Sequence, residues 1–377
     1  MIIGIDVSSI PYGTGVSNYT LNLIKNLIKI DKTNTYKLFF SSFRLPLPKE
    51  IETCRSHKNV QIYHFKYPLS FLNFLWNKLH LIPIECFIGK CDVFHTSDWT
   101  QPPAIKAKLI TTVHDLVPFL FPQWSSPKII KTHRLKMKKA IKKCHQIICV
   151  SQNTKNDLIK IFPKVKTEKI KVIYEAAEDK YGQFQKLDKK SQQKKLEIIK
   201  KQYGLNHFLL CQGTREPRKN LKRVIKAFLM FKQKYPTSKY ELAIGGKYGW
   251  GEDIKKYRNG YIKLLGYIPE QHMVALHASA LALIYPSLYE GFGLPIVKSM
   301  KVGTPVITSK TSSMKEIAGN AAIFVNPKST KSIFTAIEKM CKSSSTRNNL
   351  AKRAINLSQK FSWTQTALET LNVYNKV

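Results

Sequence analysis

The amino-acid sequence predicts an α/β protein built from two similar Rossmann-like, parallel-sheet domains in tandem. Apolar, β-branched runs of strand length alternate along the chain with segments whose apolar residues recur at helical spacing. The 377 residues, 43% of them hydrophobic, are enough for two domains with separate cores. Two such domains are expected to face each other across a cleft, with ligands at the carboxyl ends of the strands.

The first predicted domain covers residues 1–178. Its opening run "IIGIDV" is typical of a strand, and "SSIPYGTG" follows it as a turn. In the next segment, "VSNYTLNLIKNLIKI", Leu23 and Leu27 recur at helical spacing, which predicts a helix. Further strands are predicted at "YKLFFSS", "VQIYHF", "DVFHTS", "LITTVHD" and "QIICVS".

The second predicted domain covers residues 179–360 and begins in a lysine-rich, turn-prone section at residues 175–201. After its first strand, "NLKRVIKAFLMF" has the spacing of an amphipathic helix. The predicted strands of this domain are "HFLLCQGT", "YELAIGG", "YIKLLGY", "LALIYPS", "TPVITS" and "AAIFVNP".

The formal net charge of +38 is the largest compositional signal. It implies attraction to polyanions such as nucleic acid, an anionic membrane surface or phosphorylated substrates. An A/T-biased genome is an alternative origin, since the chain is also rich in Asn, Ile, Phe and Tyr. The scarcity of Asp and Glu fits codon bias less well and keeps the membrane interpretation open. Nucleic-acid binding is disfavoured, because the sequence contains no RNA-recognition signature, zinc finger or basic zipper.

The cysteines and the apolar segments bear on the cell compartment. The seven cysteines are odd in number and form no CxxC pair, so we expect reduced and mostly buried thiols. The opening residues lack the basic region of a secretory signal, and polar residues interrupt the apolar segment at residues 67–89. We therefore expect a cytoplasmic protein, with peripheral attachment to the inner face of the membrane as a further expectation.

Two features of the first domain have the geometry of a ligand site. Gly13 and Gly15 lie between a strand and a helix, where backbone N–H groups and the helix dipole can meet an anion. His114 follows the strand "LITTV", where functional side chains collect in α/β domains. Both also have structural explanations, since glycines serve turns and single histidines are often part of a core.

The segment "GTREPRKNL" combines a tight strand exit with two cations. Gly213 permits the turn, and Arg218 and Lys219 occupy the start of the next helix. Cations are unfavourable beside a helix N-terminus, so we expect a phosphate to join them there. The alternative is a pair of solvated surface charges.

The segment "YPSLYEGFGLP" places Glu290 between a strand and a glycine turn. Its carboxylate could accept hydrogen bonds from sugar hydroxyls, while the amides from Gly291 to Leu294 face a phosphate. The sequence contains no Walker motif, HExxH or Asp-x-Asp motif and no Ser-His-Asp ordering. Metal-bound phosphoryl chemistry and nucleophilic hydrolysis therefore lack support.

With these segments placed, the chain resembles the family-4 retaining glycosyltransferases of the GT-B fold, in particular the mannosyltransferase-like branch known as glycosyl transferases group 1. The resemblance covers almost the whole length and rests on motifs in the expected order: "GTGVSNYTLNLIKNL", "VFHTSDW", "TTVHDLVP", "VSQNTKNDL", "GTREPRKNLKRVIKAF", "GGKYGW", "LGYIPE", "YPSLYEGFGLP", "GTPVITS", "EIAGNAA" and "FSW". It implies that a last helix at residues 361–377 crosses back onto the first domain.

The resemblance implies transfer of a hexose from a nucleotide-sugar to a hydroxyl of a glycan or lipid-linked acceptor in surface polysaccharide synthesis. Retention at the anomeric carbon, no obligatory metal or cofactor, and GDP-mannose or a UDP-sugar as donor are implied with it. The catalytic residues it implies are His114, Arg218, Lys219 and Glu290. The donor-binding residues it implies are Gly13, Gly15, Gly213, Tyr267, Ile268, Gly291, Phe292, Gly293, Leu294 and Lys298, with Tyr267 and Ile268 beside the base.

One residue departs from the family pattern. A second glutamate normally stands eight residues after Glu290 and holds the ribose hydroxyls, but this sequence has Lys298. A lysine donates hydrogen bonds and accepts none. Either the site is altered and active, which the intact phosphate and sugar motifs favour, or it belongs to a weak or idle nucleotide-sugar-binding subunit. In the second case Lys298→Glu should tighten donor binding.

Two segments of the first domain suggest a membrane surface. "KIIKTHRLKMKKAIKK", at residues 128–143, is a plausible helix without an acidic residue, and the apolar-aromatic segment at residues 67–88 lies in the same domain. Together they could dock on anionic lipid and present a lipid-linked acceptor. The alternative is a solvated basic helix beside a buried apolar one.

Overall fold

The computed structural model describes residues 1–251 and 253–377, which form two compact units. One unit consists of Met1–Glu175 together with Ser362–Val377, and the other of Ala176–Phe361. Each has its own parallel β-sheet covered by helices, as the sequence predicts.

The first unit contains a seven-stranded sheet with the order β3-β2-β1-β4-β5-β6-β7, and every strand pair is parallel. Each run predicted as a strand forms one, whereas β7 was missed. The bounds are β1 Ile2–Asp6, β2 Thr35–Ser41, β3 Val60–Phe65, β4 Val93–Thr96, β5 Lys108–Val113, β6 Gln146–Cys149 and β7 Ile170–Val172.

The helices of the first unit begin where the sequence provides capping groups. The Thr14 side chain accepts a hydrogen bond from the Ser17 amide, and Ser126 caps a helix that starts with Pro127. A π-helix at Asn73–Leu79 follows α3 directly. The α-helices are α1 Gly15–Ile30, α2 Lys49–Glu52, α3 Leu69–Leu72, α4 Glu85–Ile88, α5 Val117–Leu120, α6 Pro127–Lys143 and α7 Gln152–Ile161.

The second unit contains a six-stranded parallel sheet with the order β10-β9-β8-β11-β12-β13. The strands are β8 His207–Gln212, β9 Tyr240–Gly245, β10 Ile262–Gly266, β11 Ala282–Tyr285, β12 Val306–Ser309 and β13 Ala322–Val325. The helices are α8 Asp179–Gln185, α9 Lys189–Tyr203, α10 Leu221–Lys234, α11 Glu270–Ser279, α12 Leu294–Lys301, α13 Ser313–Ala318, α14 Thr330–Lys342 and α15 Ser344–Ser358.

The strand order of the second sheet determines where its ligand site can lie. β8 and β11 are neighbours, yet the chain leaves β8 toward β9 on one side and leaves β11 toward β12 on the other. This reversal opens a crevice at the carboxyl ends of the two strands, where ligands bind in such sheets. The loops after β8 and β9 approach each other closely, because a Cβ on Gly246 would lie 1.8 Å from the carbonyl oxygen of Gly213.

The last helix, α16 (Trp363–Asn375), belongs to the first unit and packs against α1. The ring of Trp363 lies edge-on to Tyr19, with 5.8 Å between centroids. At the other end of α16, the buried Tyr374 hydroxyl lies 2.7 Å from Nδ1 of His95 on β4. These contacts fasten the end of the chain to the first sheet, as the resemblance implies.

Two further features concern the cysteines and the length of the helices. All seven cysteines are free thiols, and all except Cys86 are buried. Across residues 1–251 and 253–377, no helix has the length and apolar character needed to cross a membrane.

Candidate functional site

Arg218, Lys219 and Glu290 meet at the carboxyl ends of β8 and β11 in the second unit. Lys219 Nζ donates to Oε1 of Glu290 at 2.6 Å and to the hydroxyl of Tyr285, also at 2.6 Å. Arg218 donates to the other carboxylate oxygen of Glu290. Its second guanidinium nitrogen lies 2.8 Å from Glu216. The cluster therefore contains two cations and two carboxylates.

Burial and charge decide the protonation state of Glu290. Burial alone would raise the pKa of this carboxyl, but Arg218 and Lys219 outweigh that effect and lower the pKa to about 2. The exposed side-chain fractions are 7% for Glu290, 9% for Lys219 and 17% for Arg218. A pair of solvated surface charges is therefore excluded. Carboxylates of the protein also lie beside these cations, and the expectation that a phosphate joins them stays a prediction.

The backbone ties the two loops of this cluster together. The amide of Leu288 donates to the carbonyl oxygen of Arg218 at 2.8 Å. Asn220, with φ of 59°, donates from its side-chain amide to the carbonyls of Pro286 at 3.0 Å and Pro327 at 2.7 Å. Asparagine tolerates this left-handed conformation better than most residues. Arg218 and Lys219 are thus held on a short 3-10 turn fixed to the loop after β11.

The glycine turn after Glu290 leads directly into α12. Gly293 has φ of 104° and is the N-cap of the helix, and Pro295 lies in its first turn. Ser313 fixes the turn by donating to the carbonyl oxygens of Glu290 at 2.9 Å and Phe292 at 2.8 Å. Gly291 to Leu294 therefore lie beside Glu290, with the Phe292 side chain buried.

Lys298 lies within the second unit, and its charge is compensated by carboxylates. Its Nζ is 3.2 Å from Oε1 of Glu178 and 3.7 Å from Oε1 of Glu270, and it lies 5.2 Å from the ring centroid of Tyr181. The side chain is 6% exposed. Since α12 has eight residues, Lys298 lies in its last turn. Its positive charge is therefore away from the positive end of the helix dipole.

Tyr267 and Ile268, expected beside the base, differ in exposure. The Tyr267 side chain is 63% exposed, with Lys247 Nζ 5.2 Å from its ring centroid. Ile268 is 4% exposed, and its Cγ1 lies 3.0 Å from where a Cβ on Gly245 would be. Tyr267 is thus the one of the two whose side chain is available to a ligand.

In the first unit, His114 follows β5 and is oriented by a carboxylate. Its Nδ1 lies 2.9 Å from Oε1 of Glu175, and its ring stands edge-on to Tyr19 at 4.6 Å. An ionised carboxylate only accepts hydrogen bonds, so Nδ1 carries the proton. Nε2 of His114 is buried and has no hydrogen-bond partner in the described part of the chain. This nitrogen is therefore free to accept a hydrogen bond from a ligand.

Gly13 and Gly15 flank the start of α1. Gly13 has φ of 61° and ends a short 3-10 turn, while Gly15 is the first residue of the helix. Nothing lies within 4 Å of the position that a Cβ on Gly15 would occupy. The space beside this helix start is thus open to a ligand.

Sequence reasoning missed three carboxylates: Glu175, Glu178 and Glu216. Glu175 and Glu178 stand in "YEAAED", directly after the short β7 that the periodicity did not predict. Glu216 lies inside the quoted motif "GTREPRKNL", between the two cations and the strand. The signal that could have identified Glu216 is its position two residues before Arg218 in the sequence. Among the described residues, no group of three His, Cys, Asp or Glu side chains could hold a metal ion.

Comparisons with known proteins agree with this architecture. The family model described as Glycosyltransferase Family 4 matches residues 13–179, and the model described as Glycosyl transferases group 1 matches residues 188–357. The chain is 26% identical over 375 residues to O-antigen chain mannosyltransferase B of Escherichia coli, covering 96% of both chains.

Solved structures share the fold at lower sequence identity. A sucrose-phosphate synthase from Thermosynechococcus elongatus superposes with a TM-score of 0.74 at 16% identity, over 100% of this chain and 98% of the other. Anabaena HepE, solved in complex with UDP and glucose, gives a TM-score of 0.71 at 16% identity, over 100% and 99% of the two chains.

Proposed function

Because the chain belongs to the group 1 glycosyltransferases, we propose that it transfers mannose from a nucleotide-sugar to a hydroxyl of a glycan or lipid-linked acceptor. The reaction proceeds with retention and serves the synthesis of a surface polysaccharide. The name of the E. coli relative supports both the sugar and the pathway class.

The cluster of Arg218, Lys219 and Glu290 is the observation that carries this proposal. A departing nucleoside diphosphate accumulates negative charge, and fixed cationic donors aimed at that charge are usually the largest catalytic contribution. Lys219 and Arg218 are already ordered by Glu290 and the loop after β11, so little reorganisation is required when the donor binds. Glu290 keeps its charge and can accept hydrogen bonds from sugar hydroxyls.

The proposed step is a front-face displacement at the anomeric carbon. The bond from that carbon to the phosphate oxygen breaks as the bond to the acceptor oxygen forms on the same face. The acceptor proton passes to the leaving phosphate, so the atoms balance without a protein nucleophile. Arg218 and Lys219 stabilise the diphosphate, and nearby carboxylate and carbonyl groups suit the oxocarbenium-like transition state.

His114 is proposed to bind the transferred sugar. Glu175 holds the imidazole through Nδ1, which leaves Nε2 as an acceptor for a sugar hydroxyl. Gly13, Gly15, Gly213 and the turn from Gly291 to Leu294 are proposed to lie beside the donor, with Tyr267 at the base.

The donor base is assigned by analogy. We propose GDP-mannose, because the relative matched over nearly the full length is a mannosyltransferase. A UDP-sugar is the competing donor, since HepE was solved with UDP and glucose. The acceptor is proposed to be presented at the inner, anionic face of the membrane.

The idle-subunit alternative depends on Lys298. An unpaired buried lysine would indicate a damaged site, but this one lies between two carboxylates and beside Tyr181. This pairing supports an intact site that carries its carboxylates at Glu178 and Glu270. We therefore propose an active enzyme.

The test combines donor binding with product formation. Calorimetry with GDP and UDP identifies the base, and radiolabelled GDP-mannose and UDP-hexoses are then incubated with a lipid-linked glycan fraction as acceptor. We expect mannosylated product, with Lys219→Ala reducing kcat by about 100-fold or more. Lys226→Ala, on the exposed face of α10, is the matched control. Binding without product would favour the idle subunit, and no binding of either nucleotide would overturn the proposal.

A further inference from the structure

We propose that one face of the first unit docks on an anionic membrane through an apolar ridge and a neighbouring basic stripe. The apolar ridge consists of Tyr67, Phe71, Phe74, Leu79, Leu81 and Ile82. The basic stripe consists of Lys128, Lys131, Arg134, Lys138 and Lys142. The surface extends the proposed function, because a lipid-linked acceptor would lie in the same membrane.

The apolar ridge is exposed, which disfavours the alternative that this segment is a buried apolar helix. Its six side chains are between 40% and 54% exposed. Phe71 and Phe74 stand three positions apart on α3 and the π-helix that continues it, so they share one face. Leu72 and Trp76 are buried on the opposite face. The segment is therefore apolar on two faces, one packed against the core and the other turned to solvent.

The basic stripe follows from the spacing of cations on α6. Its members are all exposed and recur every three or four residues, which places them along one side of the helix. The buried residues Met137 and Ala140 face the core. Since α6 contains no acidic residue, no carboxylate on the same helix can form an ion pair with these exposed cations.

The ridge lies beside α6, the helix that carries the stripe. The π-helix packs against α6, and Asn73 lies 3.4 Å from the hydroxyl of Thr132 across this contact. His80 lies between Leu79 and Leu81; burial lowers its pKa, and the nearby charges of Lys139 and Lys143 lower it further. Lys78 Nζ lies 5.3 Å from the ring centroid of Phe74, so a cation also borders the ridge itself.

The same surface has almost no negative charge to repel lipid phosphates. Glu85 is the single acidic residue in the sequence between residues 53 and 91. Its Oε1 accepts hydrogen bonds from the amides of Ile105, Lys106 and Ala107, each at 2.9 Å. This carboxylate is committed to the fold.

A membrane fits this combination better than nucleic acid or a folded protein. Interfacial binding uses both parts: apolar side chains enter the headgroup boundary, while each Lys or Arg near an anionic surface strengthens binding about fivefold. Nucleic acid would use the stripe but gain little from burying Leu79, Leu81 and Ile82. A protein partner would need carboxylates opposite the stripe.

The experiment measures sedimentation of the full chain with vesicles, without donor or acceptor. Vesicles of phosphatidylcholine alone are compared with vesicles that also contain phosphatidylglycerol, and binding is expected only to the second kind. Lys131→Glu with Lys138→Glu should weaken that binding at least about tenfold. Lys194→Glu with Lys201→Glu, on α9 of the second unit, makes the same change in net charge and should weaken it much less.

The ridge is tested separately. Leu81→Ser should weaken vesicle binding about fivefold to tenfold, since the side chain is 54% exposed in the free protein. Ile198→Ser, at a residue of α9 that is 53% exposed, is the matched control. Circular dichroism and binding of GDP or UDP establish that each variant is folded.

Three results would overturn the proposal. One is equal loss of binding in the two lysine variants, which would indicate diffuse charge. Another is unchanged vesicle binding in Leu81→Ser together with loss of a dimer in sedimentation velocity, which would assign the ridge to a second copy of the chain. The third is weaker binding of single-stranded RNA in the stripe variant while vesicle binding stays unchanged.

The outcome is independent of the proposed transfer. Vesicle binding is measured without substrates, so an inactive protein can still dock. A protein that fails to dock can still mannosylate a soluble acceptor.

Discussion

The ammonium of Lys298 lies 3.2 Å from a carboxylate oxygen of Glu178. Glu178 precedes α8 and Lys298 lies on α12, so the ion pair joins two elements far apart in the sequence. The Tyr181 ring, on α8, lies beside the same ammonium. Lys298 is therefore part of the packing between these helices, as well as a departure from the family pattern.

The first prediction is that Lys298→Glu destabilises the protein. A carboxylate at residue 298 would face Glu178, whose side chain is 14% exposed, and the half-exposed Glu270. Breaking a buried ion pair and leaving like charges in place is expected to cost on the order of 3 to 5 kcal/mol. Urea unfolding measures this loss, and Lys298→Met, which adds no carboxylate, should cost less. Equal stability of wild type and Lys298→Glu would show that the pair has no structural role.

The second prediction concerns exchange of the two charges. In the double variant Glu178→Lys with Lys298→Glu, the ion pair can form in the reverse direction, so much of the lost stability should return. Because this variant keeps a carboxylate on α12 without the repulsion, it should bind the donor nucleotide at least as tightly as the wild type. Calorimetry with GDP and UDP compares the two. The simple expectation that Lys298→Glu alone tightens binding is disfavoured by the neighbouring carboxylates.

The fold was largely predictable because its signals are local. Each strand of the two sheets except β7 shows an apolar run of adequate length, and α1 and α10 show apolar residues at helical spacing. The strand Ile170–Val172 has three residues, too few for a period to be visible. The exposure of Phe71 and Leu81 could not be predicted either, because a run of apolar residues does not say which of its faces the core covers.

The sequence motifs identified residues of the candidate site, but they did not predict how these residues pair. Arg218, Lys219 and Glu290 were identified, yet their mutual neutralisation depends on the distance between loops after β8 and β11, which no spacing encodes. The partners Glu175 and Glu178 follow an unpredicted strand and pair with residues 61 and 120 positions away. Long-range partners of this kind follow from topology rather than from pattern.

The third prediction concerns the acid sensitivity of Glu290. Its pKa is about 2 in the folded protein against an ordinary value of 4.5, so its contribution to stability is complete above about pH 4.5 and declines as the pH falls toward 2. Glutamine cannot titrate. The loss of unfolding free energy between about pH 7 and pH 3 should therefore be smaller in Glu290→Gln, by about 2 kcal/mol.

Urea unfolding at the two pH values measures this difference. Lys226→Ala, on the exposed face of α10, is the control and should follow the wild type. The same acid-induced loss in Glu290→Gln and wild type would show that Arg218 and Lys219 do not stabilise the ionised carboxylate.

The fourth prediction concerns the pair of Glu175 and His114. In Glu175→Gln the side-chain amide can turn either its oxygen or its nitrogen toward Nδ1, so the imidazole loses the carboxylate that selects one tautomer. If Nε2 accepts a hydroxyl of the transferred sugar, weakening that hydrogen bond should lower kcat by about 10- to 100-fold. The affinity for GDP or UDP should stay the same, because the diphosphate is proposed to bind Arg218 and Lys219.

Single-turnover kinetics and nucleotide calorimetry separate these two effects. Glu168→Gln, at an exposed glutamate of the same unit, is the matched control and should retain full activity. Loss of nucleotide affinity together with kcat would indicate a general structural defect. An unchanged kcat in a folded Glu175→Gln protein would remove His114 from the reaction, since the proposed role depends on the tautomer that Glu175 selects.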